Sequence, residues 1–481
     1  MSRSLPVHEP HKIKTVRRTF FPSLDERKHN LIAASFNVLN LTPMQVTFDM
    51  CSWGSSAVSQ EQLAGQMVGD EAYAGARNFE ALQDAIRDVL GHQHVCPTHN
   101  LLGCIKLVVA TMMPEGCTHV PSNALVIQDV LTPRGLKVPN VRDGSQPVFT
   151  GDLDLARLET EIRDGKDALL YVETFADAHH PISIANLKGV RALADRYELP
   201  LVLDGSRIVE NAWYVQRHED GYAERSIADI TRELVSHCHV LQVDGAQAPK
   251  SNVGAFLSSE DPAIFEKFMN EVVVYEGLHT YGGMAGRTME VLARGLREMT
   301  REAEVQWIMH QAERFSQRLK DAGVPLERGC DGAYLKADDF LPNVEKHRKD
   351  ALSNALYLSS GVRAVASGML NRDAILPVQI PRLALSNHQL DQVADAIIQL
   401  YGQREKIPAL EPAGEKTWRD EMRYRWVIPS LDEYVFDCEP SLIHTIEHVG
   451  HLTIDDRRRA IEEAGFNTFL LRSEDVSIDL L

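Results

Sequence analysis

Polar and apolar positions change their period several times along the chain. Residues 1–55 are polar and mixed, and read as an arm rather than a domain. Over residues 56–310 short apolar runs alternate with helical patterns. Residues 105–113 are a mostly apolar stretch after a turn, while 124–128 and 169–175 read as buried strands. At 183–197 the apolar residues Ile184, Leu187, Val190 and Leu193 recur at helical spacing, and Glu198-Leu199-Pro200 closes that helix. Leu201-Val202-Leu203-Asp204 follows, an apolar strand ending in a carboxylate. Strand, helix and strand at this spacing predict a mostly parallel α/β sheet. Residues 305–322 and 386–404 pattern as amphipathic helices, so 311–404 is expected to be a smaller α+β lobe. Residues 405–438, rich in Pro, Glu and Arg, read as a linker.

The segment after that linker repeats the arm. Residues 9–50 return without a gap as residues 439–480, a register shift of 439 − 9 = 430. Glu9-Pro10 becomes Glu439-Pro440, Asp25-x-Arg27 becomes Asp455-x-Arg457, and Ala34-x-Phe36-Asn37 becomes Ala464-x-Phe466-Asn467. Chance likeness between two helical arms is the alternative, and the Pro and Asn at fixed places count against it. The period is too long for a solenoid unit and suits one large globular module. Residues 439–481 are therefore expected to open a second module, with the pattern cut at Leu480-Leu481.

Composition narrows the classes of function. With 481 residues, 44% hydrophobic and 25% charged, the chain can bury a large core and is not wholesale disordered. A net charge of −18 disfavours nucleic acid and anionic membranes as partners. No apolar run approaches a membrane span, and Met1-Ser2-Arg3-Ser4 lacks a signal peptide's apolar core. The seven cysteines (51, 96, 104, 117, 238, 330 and 438) are odd in number, scattered and never in CxxC spacing. That pattern fits a reduced cytoplasm better than a disulfide framework or a zinc site.

Several longer motifs carry a resemblance. They are Gly69-Asp70-Glu71-Ala72-Tyr73-Ala74-Gly75-x-Arg77-Asn78-Phe79, Pro97-Thr98-His99, Pro181-x-Ser183-x-Ala185-Asn186 and Asp204-x-x-Arg207-x-x-Glu210-Asn211-Ala212. Tyr275-Glu276-Gly277 through Tyr281-Gly282-Gly283-x-Ala285-Gly286-Arg287 completes the set. Together they resemble the aromatic amino-acid β-eliminating lyases, tryptophanase and tyrosine phenol-lyase, over nearly the whole chain. The resemblance implies a fold-type-I pyridoxal-phosphate (PLP) scaffold: a large α/β domain with a mostly parallel, seven-stranded-type sheet, and a smaller α+β domain. It also implies dimers of dimers with active sites at subunit interfaces. The second arm, with Glu463-Ala464-Gly465-Phe466-Asn467 and Ile478-Asp479-Leu480-Leu481, is the more similar of the two to that family's N-terminal arm.

PLP chemistry needs a lysine for the aldehyde, an acid for the pyridine nitrogen, and donors for the phosphate and ring oxygen. By resemblance the acid is Asp204, with Arg207 three residues on; a plain strand-end or helix-capping carboxylate is the alternative. Counting back from Asn252-Val253-Gly254-Ala255-Phe256, the Schiff-base position holds Gln247, preceded by Ala246. A carboxamide forms no internal aldimine. Lys250 lies three residues later and is the one rescue; Pro249 and a strand-like context oppose it. The phosphate turn holds Leu101 and Leu102 in place of Gly and Arg, and Asp244 stands in the place of a phosphate-binding Ser. A carboxylate about 4 Å from a phosphate charge costs about 4 kcal/mol at a dielectric near 20. Phe175 replaces the Asn expected on the ring oxygen, Val126 the stacking Phe, and Pro377 the Arg that clamps a substrate carboxylate.

Residues that the family contributes across its subunit interface do match: Tyr73 and Tyr281, together with Glu71, Asn252 and Gly54 at a shared monovalent-cation (K+) site. Their alternative is turn and packing conservation. Three readings follow. The chain is a pseudoenzyme that completes a tryptophanase-like module in a homo- or hetero-oligomer; or its pocket serves PLP-independent chemistry or ligand binding; or a PLP lyase works through Lys250. Among weaker signals, His179-His180 lines a remodelled pocket or a loop, and His237-Cys238-His239 lacks locatable further metal ligands. His444, His448 and His451 fall in the repeated arm, whose first copy has Lys14, Arg18 and Phe21.

Overall fold

Leu201–Asp204 is a strand buried at every position, and both faces of the sheet around it are covered by helices, as parallel sheets require. The computed structural model describes residues 7–412 apart from 52–53, 73–74, 114–115, 125, 133–134, 164–168 and 366–374, together with 426–427. The chain divides into two compact units, Met1–Phe436 and Asp437–Leu481. The repeated arm with its three histidines lies outside the described residues, so the account below concerns the first unit.

The large sheet runs His94–Thr98, Ala255–Ser259, Val240–Asp244, Leu201–Asp204, Leu170–Glu173. The last three are mutually parallel, and Ala255–Ser259 is antiparallel to both neighbours. Beyond Leu170–Glu173, Ser122 forms parallel bridges to Tyr171 and to Asn140. Five strands and two bridged segments thus make up the mostly parallel sheet expected of the fold.

The helix predicted over 183–197 spans Ile184–Arg196. Ser183 caps it by accepting the Asn186 N–H, and Ile184, Leu187, Val190 and Leu193 are buried. The strand expected at 124–128 is instead a short helix, Val126–Leu131. The reason lies in Asn123. Its amide donates to Gly151 O and Glu173 O at 3.0 Å, and its Oδ1 accepts the Glu173 N–H at 2.9 Å. One side chain makes the sheet-edge hydrogen bonds that a strand would have made, so the backbone is free to coil. An apolar run this short does not separate the two outcomes. The apolar stretch at 105–113 lies within the helix Leu101–Met112.

The smaller lobe has an antiparallel sheet of Leu326–Arg328, Gly332–Lys336 and Ile375–Gln379. Around it pack Glu302–Asp321, Arg348–Ser360 and Asn387–Gly402, two of which match the predicted 305–322 and 386–404 helices. Among its described residues the N-terminal arm holds one α-helix, Leu24–Ala33, opened by a Ser23–Glu26 capping box. Arg27 docks it by donating to Leu358 O at 2.7 Å and Ser359 O at 3.3 Å, and Phe48–Asp49 pairs in parallel with Val362–Arg363. Among the described residues no helix is long and apolar enough to cross a membrane.

Candidate active site

Three neighbouring parallel strands end in carboxylates: Glu173, Asp204 and Asp244. Ligands of open α/β sheets bind outside such carboxyl ends. A cleft of about 890 Å³, counting the solvent at its mouth, opens there. Of the residues singled out from the sequence, it gathers Leu101, Phe175, Asp204, Arg207, Asp244, Gln247 and Pro377.

Asp204 is held by three donors. Its Oδ2 accepts from the Tyr171 hydroxyl at 2.9 Å and from Gln242 Nε2 at 3.0 Å, and its Oδ1 from the Ser206 N–H at 2.9 Å. Arg207 places Nε and Nη2 on Asp331 Oδ2 at 3.3 and 3.2 Å. Asp331 also accepts from the Tyr334 hydroxyl at 2.7 Å and Gln379 Nε2 at 3.0 Å. Burial works to raise the Asp331 carboxyl, but Arg207 and Arg382 outweigh it and hold it below the usual range. Asp244 goes the other way. Burial, reinforced by the charge of Asp204, pushes it up to about 6 although the Ala246 N–H bonds it at 2.9 Å. Phe175 sits edge-on to Tyr214 with ring centres 5.2 Å apart.

The phosphate turn has become the start of the Leu101–Met112 helix. Asn100 caps it, its Oδ1 accepting the Gly103 N–H at 2.9 Å. The Glu276 carboxylate, fully buried, accepts the His99 N–H at 3.2 Å. It lies so close to Gly103 that a Cβ there would be 2.6 Å from Glu276 Oε1. This helix end therefore already holds an amide oxygen and a carboxylate. Leu102, one residue in, does not line the cleft. Val126 opens the short helix that replaces the expected strand.

Gln247 is 2% exposed, and its Oε1 accepts from Arg382 Nη1 at 2.8 Å. Arg382 in turn places Nε and Nη2 on Glu210 Oε1 at 3.0 and 2.7 Å, both partners buried. Lys250 points elsewhere. It is 1% exposed, lies outside the cleft lining, and donates from Nζ to Glu304 Oε2 at 3.1 Å. Its context is a turn rather than the strand-like one expected: φ is +57°, the Lys250 N–H bonds Gln247 O, and the Ser251 N–H bonds Gly245 O. Those closures aim the side chain towards Glu304.

Tyr281, Glu71, Asn252 and Gly54, expected to act across an interface, are not among the residues lining the cleft. Tyr73 is outside the described residues. Tyr281 packs, partly buried, against the core. Glu71 accepts the N–H groups of Gly286 and Arg287 at 3.1 and 3.2 Å and pairs with the Arg287 guanidinium at 3.1 Å, closing the N-terminus of the Gly286–Glu298 helix. Asn252 hydrogen-bonds both the N–H and the C=O of Ser56, at 3.1 and 3.0 Å. Gly54 adopts φ +73°, with open space where a Cβ would stand. No group of three or more His, Cys, Asp or Glu able to hold a metal occurs among the described residues. His179 packs edge-on to Tyr334, and His180 bonds Thr150 Oγ1 at 2.8 Å. His239 Nδ1 accepts the Leu201 N–H at 2.9 Å, while His237 closes the Ile227–Ser236 helix.

The family model for β-eliminating lyases matches residues 47–397. The chain belongs to the β-eliminating lyase family. A tyrosine phenol-lyase of Intrasporangium calvum is 34% identical over 434 residues, spanning 84% of this chain and 92% of that protein. A probable tryptophanase of Aeropyrum pernix is 33% identical over 440 residues, spanning 85% and 94%. A solved ornithine δ-aminotransferase chain of Plasmodium falciparum superposes with a TM-score of 0.51 at 14% identity, covering 80% of this chain and 99% of that one, and so shares the fold.

This lyase family is PLP-dependent, and the cleft gathers Asp204, Arg207, Asp244 and Gln247, the positions that the sequence resemblance assigns to that cofactor. The residues present do not fit it. Among the described residues no lysine lines the cleft, and Asp244 and the capped helix end oppose a phosphate. Sequence reasoning missed Glu173 and the Arg382–Glu210 pair. The 169–175 strand ends in a carboxylate just as 201–204 does, and that parallel was the available signal for Glu173. Nothing local announces a partner 172 residues away.

Proposed function

We propose that this member of the β-eliminating lyase family has lost PLP catalysis and serves as a non-catalytic module of a lyase-like oligomer. The observation that carries the reading is Gln247, in the Schiff-base place, locked by Arg382 while Lys250 is committed to Glu304. On this reading the chain contributes Tyr73 and Tyr281 to a partner module's site. Glu71, Asn252 and Gly54 belong to a K+ site shared with that partner, which is either a second copy or a related lyase chain.

The purified chain with added PLP is expected to show no protonated-aldimine band at about 420 nm. Borohydride reduction and peptide mapping are expected to leave Lys250 unlabelled. A reduced pyridoxyl group on Lys250 would end the proposal. For the partner role, a family lyase carrying Phe at the position matching Tyr73 is expected to regain turnover when mixed with this chain. A second reading, PLP-independent ligand binding, is favoured by one observation: an open cleft persists at the carboxyl ends of the strands, with Asp244 on its wall.

A further inference from the structure

Parallel register brings Glu173, Asp204 and Asp244 to one edge of the cleft, since Glu173 pairs with Asp204 and Asp204 with Gln242. Asp204 is saturated by its three donors. The other two are not. Glu173, 8% exposed, accepts the Asp177 N–H on Oε2 at 3.0 Å, and Asp244 accepts the Ala246 N–H on Oδ1. Glu173 Oε1 and Asp244 Oδ2 carry no hydrogen bond among the described residues, and both side chains line the cleft.

Among the described residues, the arginines nearby are already committed: Arg207 to Asp331, and Arg142 to Asp177 at 3.3 Å. Leu101, Phe175, Tyr334, Val365 and Pro377 give the wall an apolar and aromatic stretch, beside the polar Thr174, Ser206, Gln247 and Gln379. Burial, with the charges of Asp204 and Asp177 beside it, pushes the Glu173 carboxyl well above its usual range, and a partner of opposite charge placed against these two carboxyls relieves that cost.

We infer that the cleft binds a small organic monocation, a primary amine on an aromatic or alicyclic body, with its ammonium hydrogens on Asp244 and Glu173. The inference rests on the reading that PLP is not held here. The ammonium supplies the donors that the two oxygens lack, and the ring lies against Phe175, Tyr334 and Pro377. The same carboxylates repel a phosphate or a carboxylate ligand, the reverse of what a PLP and amino-acid site requires.

Isothermal titration of the full chain with benzylamine, 2-phenylethylamine and cyclohexylamine, each beside its alcohol, tests this. At least one amine is expected to bind saturably while its alcohol and 3-phenylpropanoate do not. Asp244→Asn and Glu173→Gln, each checked for a single cooperative thermal transition no lower than that of the unaltered chain, are each expected to weaken that amine by at least about tenfold. The comparison of amine with alcohol on the unaltered chain needs no variant to fold. Amines that bind no better than their alcohols, or that bind both carboxamide variants at full strength, would overturn the inference. A parallel sample receives PLP alone. A lysine aldimine there would overturn the cofactor-loss reading and this inference with it, whereas no aldimine and no amine binding would overturn this inference alone.

Discussion

Arg382 is a guanidinium 1% exposed whose charge is met by Glu210 and whose third contact is Gln247. Removing one member of a buried pair leaves the other charge stranded. Arg382→Met is therefore expected to lower unfolding free energy by about 3–5 kcal/mol in urea denaturation, and Glu210→Gln with Arg382→Met to recover much of it. Asp244 makes the opposite kind of prediction. Its carboxyl ionises at about 6 in the fold against 3.8 unfolded, because burial disfavours the charge. A group raised in this way costs stability above about pH 6, and the cost vanishes as pH falls below its unfolded value. Asp244→Asn should accordingly raise the melting temperature at pH 7.5, a gain worth at most about 3 kcal/mol. The gain should shrink through about pH 6 and disappear near pH 4. A gain that held steady down to pH 4 would show that desolvation of the charge is not its source.

Helix ends and one strand edge decide what the cleft can hold. The Leu101–Met112 helix begins where a phosphate turn was expected, and Asn100 takes the N–H of Gly103 in its first turn. Asn100→Ala is expected to cost about 1 kcal/mol in chemical denaturation, the usual value of an N-cap. Asn123 matters more, because its carboxamide completes the backbone bonding of Glu173 and Gly151. Asn123→Leu strands three buried backbone groups and is expected to destabilise by more than about 2 kcal/mol. The larger effect should fall on the edge strand, so hydrogen exchange at Tyr171 and Glu173 is the direct readout. Loss of protection confined to other strands would contradict that account.

At the scale of the whole molecule, family and fold were legible from the chain alone, because they rest on patterns that local spacing carries. Periodicity over 183–197 and the run 201–204 require only that one face be buried, and the helix Ile184–Arg196 and the strand Leu201–Asp204 follow from it. The residue types at the motif positions, Asp204, Asp244 and Gln247, are likewise a matter of counting along a register. Short runs are different: 124–128 satisfies helix and strand equally, and Asn123's reach to residues 28 and 50 positions away decides for the helix. Only the tertiary structure could say that Lys250 turns to Glu304, that Gln247 meets an arginine 135 residues on, and that Glu173 stands beside Asp204 and Asp244 at one sheet edge. Such pairings depend on where distant segments are brought by the packing of the sheet and lobes. A periodic pattern records which face is buried and not which partner it is buried against.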